Sequence, residues 1–368
     1  MKKILAVLLS ALMVFTLVGC SNGTSDAGDD AAADKQLVGV SMPTKSLQRW
    51  IQDGDNMKSQ LEAAGYEVDL QYAGDNDITM QVSQIENMVA EGCKVLVIAA
   101  IEGDSLGTVL AQAKEAGITV IAYDRLIMNT DAVNYYATFD NYKVGTLQGT
   151  FVKNALDLDN AEGPFNIEFQ AGDPGDNNAG FFFNGAYDVL KPYIESGKLV
   201  CVSGQTAFAD VATAGWATDV AQARAENILN SYYADGTQLD AFCCSNDSTA
   251  LGTINALIAN YYDTHDNIPV VTGQDGDLAN VPYIQDGREG MAVFKDTRTL
   301  AAKVVEMVNA IMSGAEVPVN DTKTYDNGTG IIPSFLCDPI ECTKDNWKEV
   351  LIDSGYYKLD GDKVVANN

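Results

Sequence analysis

The sequence predicts an α/β chain folded as two doubly wound lobes, each a mostly parallel sheet covered by helices on both faces. Three observations predict it. Short β-rich runs alternate with amphipathic helical stretches from residue 37 onward, the runs are near-continuously apolar, and the alternation begins again after residue 124. A chain of 368 residues, 46% hydrophobic and 20% charged, is long enough to bury two cores of ordinary size.

In order, LVGVSM (37–42) is a predicted strand followed by a helix over about 47–64, and YEVDLQY (66–72) one followed by a helix over about 77–91. KVLVIAA (94–100) precedes a helix near 104–116, and ITVIAYD (118–124) closes the first set. FNIEFQ (165–170), KLVCVS (198–203), DAFCCS (240–245), PVVTGQD (269–275) and GMAVFK (290–295) are the strands of the second. An internal echo links the halves: KVLVIAAIEGDSLGTVL and DAFCCSNDSTALGTINAL each run strand, acidic turn, Leu-Gly-Thr and helix, then lead to a strand ending in aspartate, Asp124 and Asp275.

Ahead of these elements, MKKILAVLLSALMVFTLVGC sets Lys2 and Lys3 before an apolar run of secretory length. Its end resembles the bacterial lipobox, which implies lipidation of Cys20 and cleavage before it, so residues 1–19 are expected to be a lipoprotein signal peptide. SNGTSDAGDDAAADK then reads as a flexible acidic tether over 20–36, and no later stretch is long and apolar enough to span a bilayer. The chain is therefore expected outside the cytoplasmic membrane, held there by lipid alone. Six other cysteines, at 93, 201, 243, 244, 337 and 342, match no zinc or redox spacing; Cys337 and Cys342 are the nearest non-adjacent pair, and free thiols are the equal alternative.

Charge narrows the function. With 23 basic and 51 acidic residues the net charge is −28, which repels nucleic acid and anionic lipid. The single histidine, His265, sits in a polar turn, and its isolation removes most Ser-His-Asp, Cys-His and histidine-rich metal chemistry. Asp75 and Asp77 lack the rest of a calcium loop and are expected to cap a helix. No metal or cofactor is expected, and catalysis is the minority reading, confined to paired carboxylates such as Asp124 and Asp275.

Open α/β sheets bind ligands at the carboxyl ends of their strands. Polar residues gather there: Lys45, Arg49 and Trp50 in TKSLQRW, Asp124 and Arg125 in YDRL, Asp176 and Asn178 in GDNNA, Asn246 in SNDS, Asp275 in GQDGD and Lys295 in VFKD. Planar amides, carboxylates and guanidinium groups can each bond two adjacent hydroxyls, as a pyranose requires. Trp50 and Trp216 add flat surfaces for the C–H faces of a sugar ring. Taken singly, each has a structural alternative as a cap, a surface ion pair or a core aromatic.

TKSLQRW, QVSQIENMV, KVLVIAA, IAYDRLI, FDNYKVG, DNNA, VLKPYIESGKL, GQD and FKDTRTLA resemble the periplasmic monosaccharide-binding proteins of ABC importers, in the xylose-binding and multiple-sugar-binding branch, over about residues 37–358. The resemblance implies the type I periplasmic binding protein fold, with three crossovers and closure of the lobes around one sugar, xylose, glucose, galactose or arabinose. It also implies delivery to an ABC permease, in some relatives presentation to a chemosensory or sensor-kinase receptor, and action as a monomer. Carried over by residue, its ligand positions are Arg49, Asp124, Arg125, Asp176, Asn178, Trp216, Asn246, Asp275 and Lys295, with Trp50 stacking and Lys45 similar to the multiple-sugar branch. The crossovers are expected near Asp140, near Lys295 and around Asp321 to Tyr325. That gives one lobe from 37–140 and 296–325, and another from 141–295 and 326–368.

Overall fold

A computed structural model of the chain describes residues 36–367, so the expected signal peptide, Cys20 and most of the tether lie outside the described residues. The chain enters at β1 (Leu37–Met42) and continues through α1 (Gln48–Ala63), β2 (Glu67–Tyr72), α2 (Ile78–Ala90), β3 (Val95–Ile98), α3 (Gly107–Glu115), β4 (Thr119–Tyr123) and β5 (Tyr135–Phe139). It then crosses to α4 (Asn141–Ala155), β6 (Phe165–Gln170), α5 (Asn177–Glu195), β7 (Leu199–Val200), α6 (Phe208–Val211), α7 (Thr218–Tyr232), β8 (Ala241–Cys244), α8 (Asp247–Asn260), β9 (Val270–Asp275), α9 (Val281–Asp286) and β10 (Met291–Phe294). After α10 (Thr297–Ser313) come β11 (Ser334–Cys337), β12 (Ile340–Thr343) and a C-terminal hairpin of β13 (Tyr357–Asp360) and β14 (Lys363–Ala366).

Two six-stranded sheets result, in the orders β2-β1-β3-β4-β5-β11 and β7-β6-β8-β9-β10-β12. Their first five strands have one winding order, so the internal echo has a structural counterpart: the echoed segments hold β3 and β8, and Asp124 directly follows β4 as Asp275 ends the equivalent β9. Each sheet reverses its winding between its first and third strands, the kind of switch point at which such sheets bind ligands. Val38, Val40, Val95, Val97 and Ile121 face one core of the first sheet and Leu96, Ile98, Val120 and Ala122 the other, which is why these strands read as unbroken apolar runs. Phe242 and Val271, opposite Ile167 and Phe169, do the same for the second.

The chain passes between sheets three times. Asp140 caps α4 by accepting from the Lys143 amide, and α4 packs on β8, β9 and α5. Asp296 caps α10 by accepting from the Arg298 amide, and α10 returns to α1 and β5. The third passage differs from expectation. The sequence reading assigns 326–368 to the second lobe, whereas β11 pairs parallel with β5, Ser334 to Tyr136 through Cys337 to Phe139, so the chain stays with the first sheet to Cys337. Tyr325 is buried edge-on against Tyr136, and the Asn327 amide donates to the carbonyls of Ile127 and Thr130, which ties the intervening loop to that lobe. Asp338 and Pro339 then lead into β12, antiparallel to β10.

Helix starts follow side-chain chemistry: Asp77, Asp140, Asp176, Asn246 and Asp296 each accept from a backbone amide in the first turn that follows. All six described cysteines are free, and Cys337 and Cys342 end on strands of opposite sheets. His265 stacks on Tyr261 at 3.8 Å and faces the Thr237 carbonyl, within a loop of the second lobe.

Candidate functional site

The carboxyl ends of the two sheets face one cavity of about 400 Å³ of atom-free space, part of it open at the mouth. The first lobe contributes Leu47, Arg49 and Trp50 from the start of α1, and Asp124 and Arg125 from the turn after β4. The second contributes Asp176 and Phe182 of α5, Trp216, Asn246 and Ser248 at the start of α8, Gln274, Asp275 and Asp277 around the end of β9, and Lys295 after β10. Thus nine of the eleven expected ligand residues line one cavity.

The other two do not. Lys45 is exposed outside the lining, its ammonium 4.6 Å from the Tyr72 ring centre. Asn178 is buried behind the wall, where its amide donates to the Asp124 carbonyl at 2.5 Å and its oxygen accepts from the Asn141 amide at 3.0 Å. Its place as the second residue of α5 turns it toward the first lobe, so it holds a wall residue and is not part of the wall itself. Leu47, Phe182, Ser248, Gln274 and Asp277 line the cavity without having been expected; Phe182 is hidden mid-helix, while Asp277 lies two residues past Asp275 in the same turn.

Arg49 is the centre of the charge network. Its guanidinium donates to Asp53 one turn on at 2.5 Å, to Asp124 at 2.8 Å and to Asp275 of the other lobe at 2.8 Å. Lys295 lies 3.0 Å from Asp275 and 3.8 Å from Asp124, and Arg125 reaches Asp176 across the cleft at 3.0 Å. Every one of these side chains is at least nine-tenths buried. Burial pushes the Asp124 carboxyl up, but Arg49, Lys295 and Arg125 outweigh it and hold it below the usual carboxylate range. Asp53, equally buried and with Asp124 nearby, is pushed up to about 6 by burial despite Arg49.

The aromatic walls are held as firmly. The Arg125 guanidinium lies 5.0 Å from the Trp50 ring centre while donating to the carbonyls of Ala100 and Ile101. Trp216 packs edge-on against Phe182, and its ring lies so close to Gly172 that no β-carbon fits there. Six described non-glycine residues have positive φ, and Asp124 (57°), Trp216 (57°) and Asp275 (103°) are three of them. Side chains thus enter the cavity from backbone that L-residues rarely adopt, a cost that surrounding bonds must offset. Tyr136, Thr138 and Asn178 supply three such bonds to the Asp124 carbonyl. Trp216 Nε1 and Gln274 Oε1 are buried and find no partner among the described residues, which suits a ligand with both donors and acceptors.

Asp176 and Asn246 each cap a helix and line the cavity as well. Asp176 accepts from the Asn178 amide through one oxygen and meets Arg125 with the other. Asn246 accepts from the Thr249 amide in a reciprocal cap while lining the cavity.

Residues 38–316 match the family described as periplasmic binding protein domain. The chain is 52% identical over 330 residues to the multiple sugar-binding periplasmic receptor ChvE of Rhizobium radiobacter, covering 89% of this chain and 93% of the relative. It is 37% identical over 328 residues to the D-xylose-binding periplasmic protein of Escherichia coli K12, again covering 89% and 93%. A solved ABC transporter solute-binding protein of Clostridium phytofermentans, with β-D-glucose bound, is similar at 66% identity and a TM-score of 0.86, over 88% of this chain and 98% of that one. With a family match across most of the folded chain and relatives of this identity over nearly all of it, the chain belongs to the type I periplasmic binding proteins, a family of binders and not of enzymes.

Proposed function

We propose that this protein captures a neutral monosaccharide of the glucose or xylose kind between its lobes, outside the cytoplasm, and delivers it to the permease of an ABC importer. The observation that carries the reading is the composition of the shared cavity: planar carboxylates, guanidinium groups and amides along its wall, indoles from both lobes, and three cations beside four carboxylates, which leaves little net charge. Adjacent sugar hydroxyls can each donate to Asp124, Asp275 or Asp176 while accepting from Arg49, Arg125, Asn246 or Lys295. Trp50 and Trp216 offer surfaces for the two ring faces. Because the ions come from both lobes, sugar and interlobe ion pairs favour the same closed arrangement, and closure is the state that a permease can distinguish.

Names of the relatives support glucose and xylose before galactose and arabinose. Lipid anchoring rests on the LVGC sequence: diacylated Cys20 would keep the folded lobes at the outer face of the membrane through an acidic tether. Two measurements test the reading. In a thermal-shift panel, a sugar at a hundred times its Kd should add about 2.7 kcal/mol to stability, and a panel of these four sugars without any shift would refute monosaccharide capture. Mass spectrometry of the mature N-terminus should find lipid on Cys20, and an unmodified start downstream of Cys20 would refute anchoring.

A further inference from the structure

Behind the cavity wall lies an acidic cluster to which sugar contact assigns no task. Asp247, the first residue of α8, and Glu289, in the turn before β10, are fully buried and bring their carboxyl groups together beside Gly273. Asp247 Oδ1 and Glu289 Oε1 have no ordinary donor among the described residues. Both oxygens crowd Gly273 of β9, where an added β-carbon would collide with them. Their companions are satisfied. Asp247 Oδ2 accepts from the Asp277 amide at 2.6 Å, Glu289 Oε2 accepts from Asn280 at 2.7 Å, and the Asn280 amide also donates to the Asp247 carbonyl at 2.9 Å.

Two ionised carboxylates cannot face one another in a dry site without a cation, and neither is ion-paired with Lys or Arg among the described residues. Their titratable neighbours add no positive charge: Asp275 and Asp277 come from the turn after β9, Cys244 from β8, Cys342 from β12 and Tyr357 from β13. Arg49 and Lys295 act on Asp277, on the cavity side. A single proton between the two carboxyl groups turns one into a donor and satisfies both orphaned oxygens at once.

We propose that Asp247 and Glu289 share one proton and form a positioning pair, which holds the Asp277 main chain and so keeps the Asp275–Asp277 stretch of the cavity wall in its sugar-binding place. This deepens the sugar-binding reading and rests on it. Burial foremost pushes Asp247 well above the usual carboxylate range and Glu289 up to about 8, so the proton stays at neutral pH. Unfolded carboxyl groups lose their protons near ordinary values; the folded protein therefore holds the extra proton, and its stability declines as pH rises from there through about 8. Above that range two buried negative charges repel, the wall loosens, and sugar affinity declines with them.

The test compares the protein with Glu289→Gln, whose amide can donate to Asp247 in place of the shared proton. D-glucose is titrated calorimetrically from about pH 6 to pH 9, thermal unfolding without sugar is followed over the same range, and infrared spectra in deuterated buffer look for a protonated carboxyl. Parent affinity should fall about threefold or more across the range, parent stability should fall as well, and both slopes should flatten in Glu289→Gln. Asp53 and Asp277, pushed up to about 6 and about 7, remain in both proteins, so the difference between slopes reports the pair. The protonated-carboxyl band should be weaker in the variant than in the parent by one carboxyl, Asp53 and Asp277 contributing alike to both. Equal slopes, or a band that Glu289→Gln leaves intact, would overturn the proposal, and Asp247→Asn repeats the comparison should Glu289→Gln not fold. Absence of glucose binding at every pH would overturn the positioning role together with the sugar reading, whereas the band and the sugar-free stability slope still decide whether the proton is shared.

Discussion

Replacing Asp275 by Asn removes one charge from the cavity while keeping the side chain's shape. Ala is the wrong choice here, because φ at this position is 103°, a conformation that Asn tolerates far better. One oxygen of Asp275 receives both Arg49 at 2.8 Å and Lys295 at 3.0 Å. A hydrogen bond to a charged partner contributes about 1.5–3 kcal/mol against about 0.5–1.5 for a neutral one, so neutralising one end of two such bonds costs about 2 kcal/mol. The cost stops there because both cations keep Asp124 as a partner, and a fully stranded buried charge is avoided. The Arg49 bond crosses between lobes and forms only on closure, whereas the Lys295 bond lies within the second lobe and contributes in either state. Sugar binding should therefore lose about 1–2 kcal/mol, roughly five- to thirtyfold in affinity. Calorimetric titration with D-glucose measures that loss, and thermal unfolding without sugar measures the remainder. Unchanged affinity with a lower sugar-free melting temperature would show Asp275 to be a structural ion-pair partner, and the reasoning would fail.

Lys45→Ala, outside the cavity lining, should leave affinity within about twofold, whereas Asn178→Ala, which removes one of three bonds to the Asp124 carbonyl, should lower both affinity and stability by about 1–3 kcal/mol; titration and unfolding separate the two. Gly172→Ala should displace the Trp216 ring and reduce the change in tryptophan fluorescence that sugar produces, as Trp216→Ala should too. Gly273→Ala should cost about 1–3 kcal/mol or more of stability, because the side chains its methyl meets are fully buried and cannot retreat; chemical denaturation reads this directly. Asp124, held below the usual carboxylate range, contributes stability that is present above its unfolded value and lost as pH falls through its lowered one. Acid unfolding of Asp124→Asn should consequently begin from a lower plateau and be less steep.

The strands most legible in the sequence are those buried on both faces. LVGVSM and FNIEFQ are β1 and β6 residue for residue, and the helix expected over 47–64 spans Gln48–Ala63. KVLVIAA shrinks to Val95–Ile98 and KLVCVS to Leu199–Val200, because hydrogen-bonded pairing ends before hydrophobicity does. β5 and β11 escaped for a different reason. Neither follows a helix directly: β5 comes after the loop that carries Asp124 and Arg125, and β11 is separated from α10 by the long loop over 314–333, so the strand–helix rhythm gives no sign of them. That same omission moved the third passage too early in the sequence reading. The site was legible where polar residues end strands. Phe182 and Ser248 were not, since a helix interior and a serine in a capped turn look alike whether or not they face a cavity.

The duplicated winding explains why the cleft has its charge arrangement. An aspartate with positive φ stands at the carboxyl end of each of the equivalent strands, Asp124 just after β4 and Asp275 as the last residue of β9, and both converge on the one guanidinium of Arg49. Equivalent strands β5 and β10 each lead, within two residues, to an aspartate that caps the helix crossing to the other lobe, Asp140 for α4 and Asp296 for α10. Symmetric lobes alone would bring like charges face to face across a closing cleft. Arg49 breaks the symmetry from the first lobe and Lys295 from the second, each within 4 Å of both aspartates. Lys295 is also the residue immediately before the Asp296 cap, so rotation at that crossing moves a cavity cation directly. Crossing and cavity wall are then one segment of chain, and on the proposed sugar-binding reading a substitution there should alter closure and affinity together, as hinge residues do in domain-closing proteins.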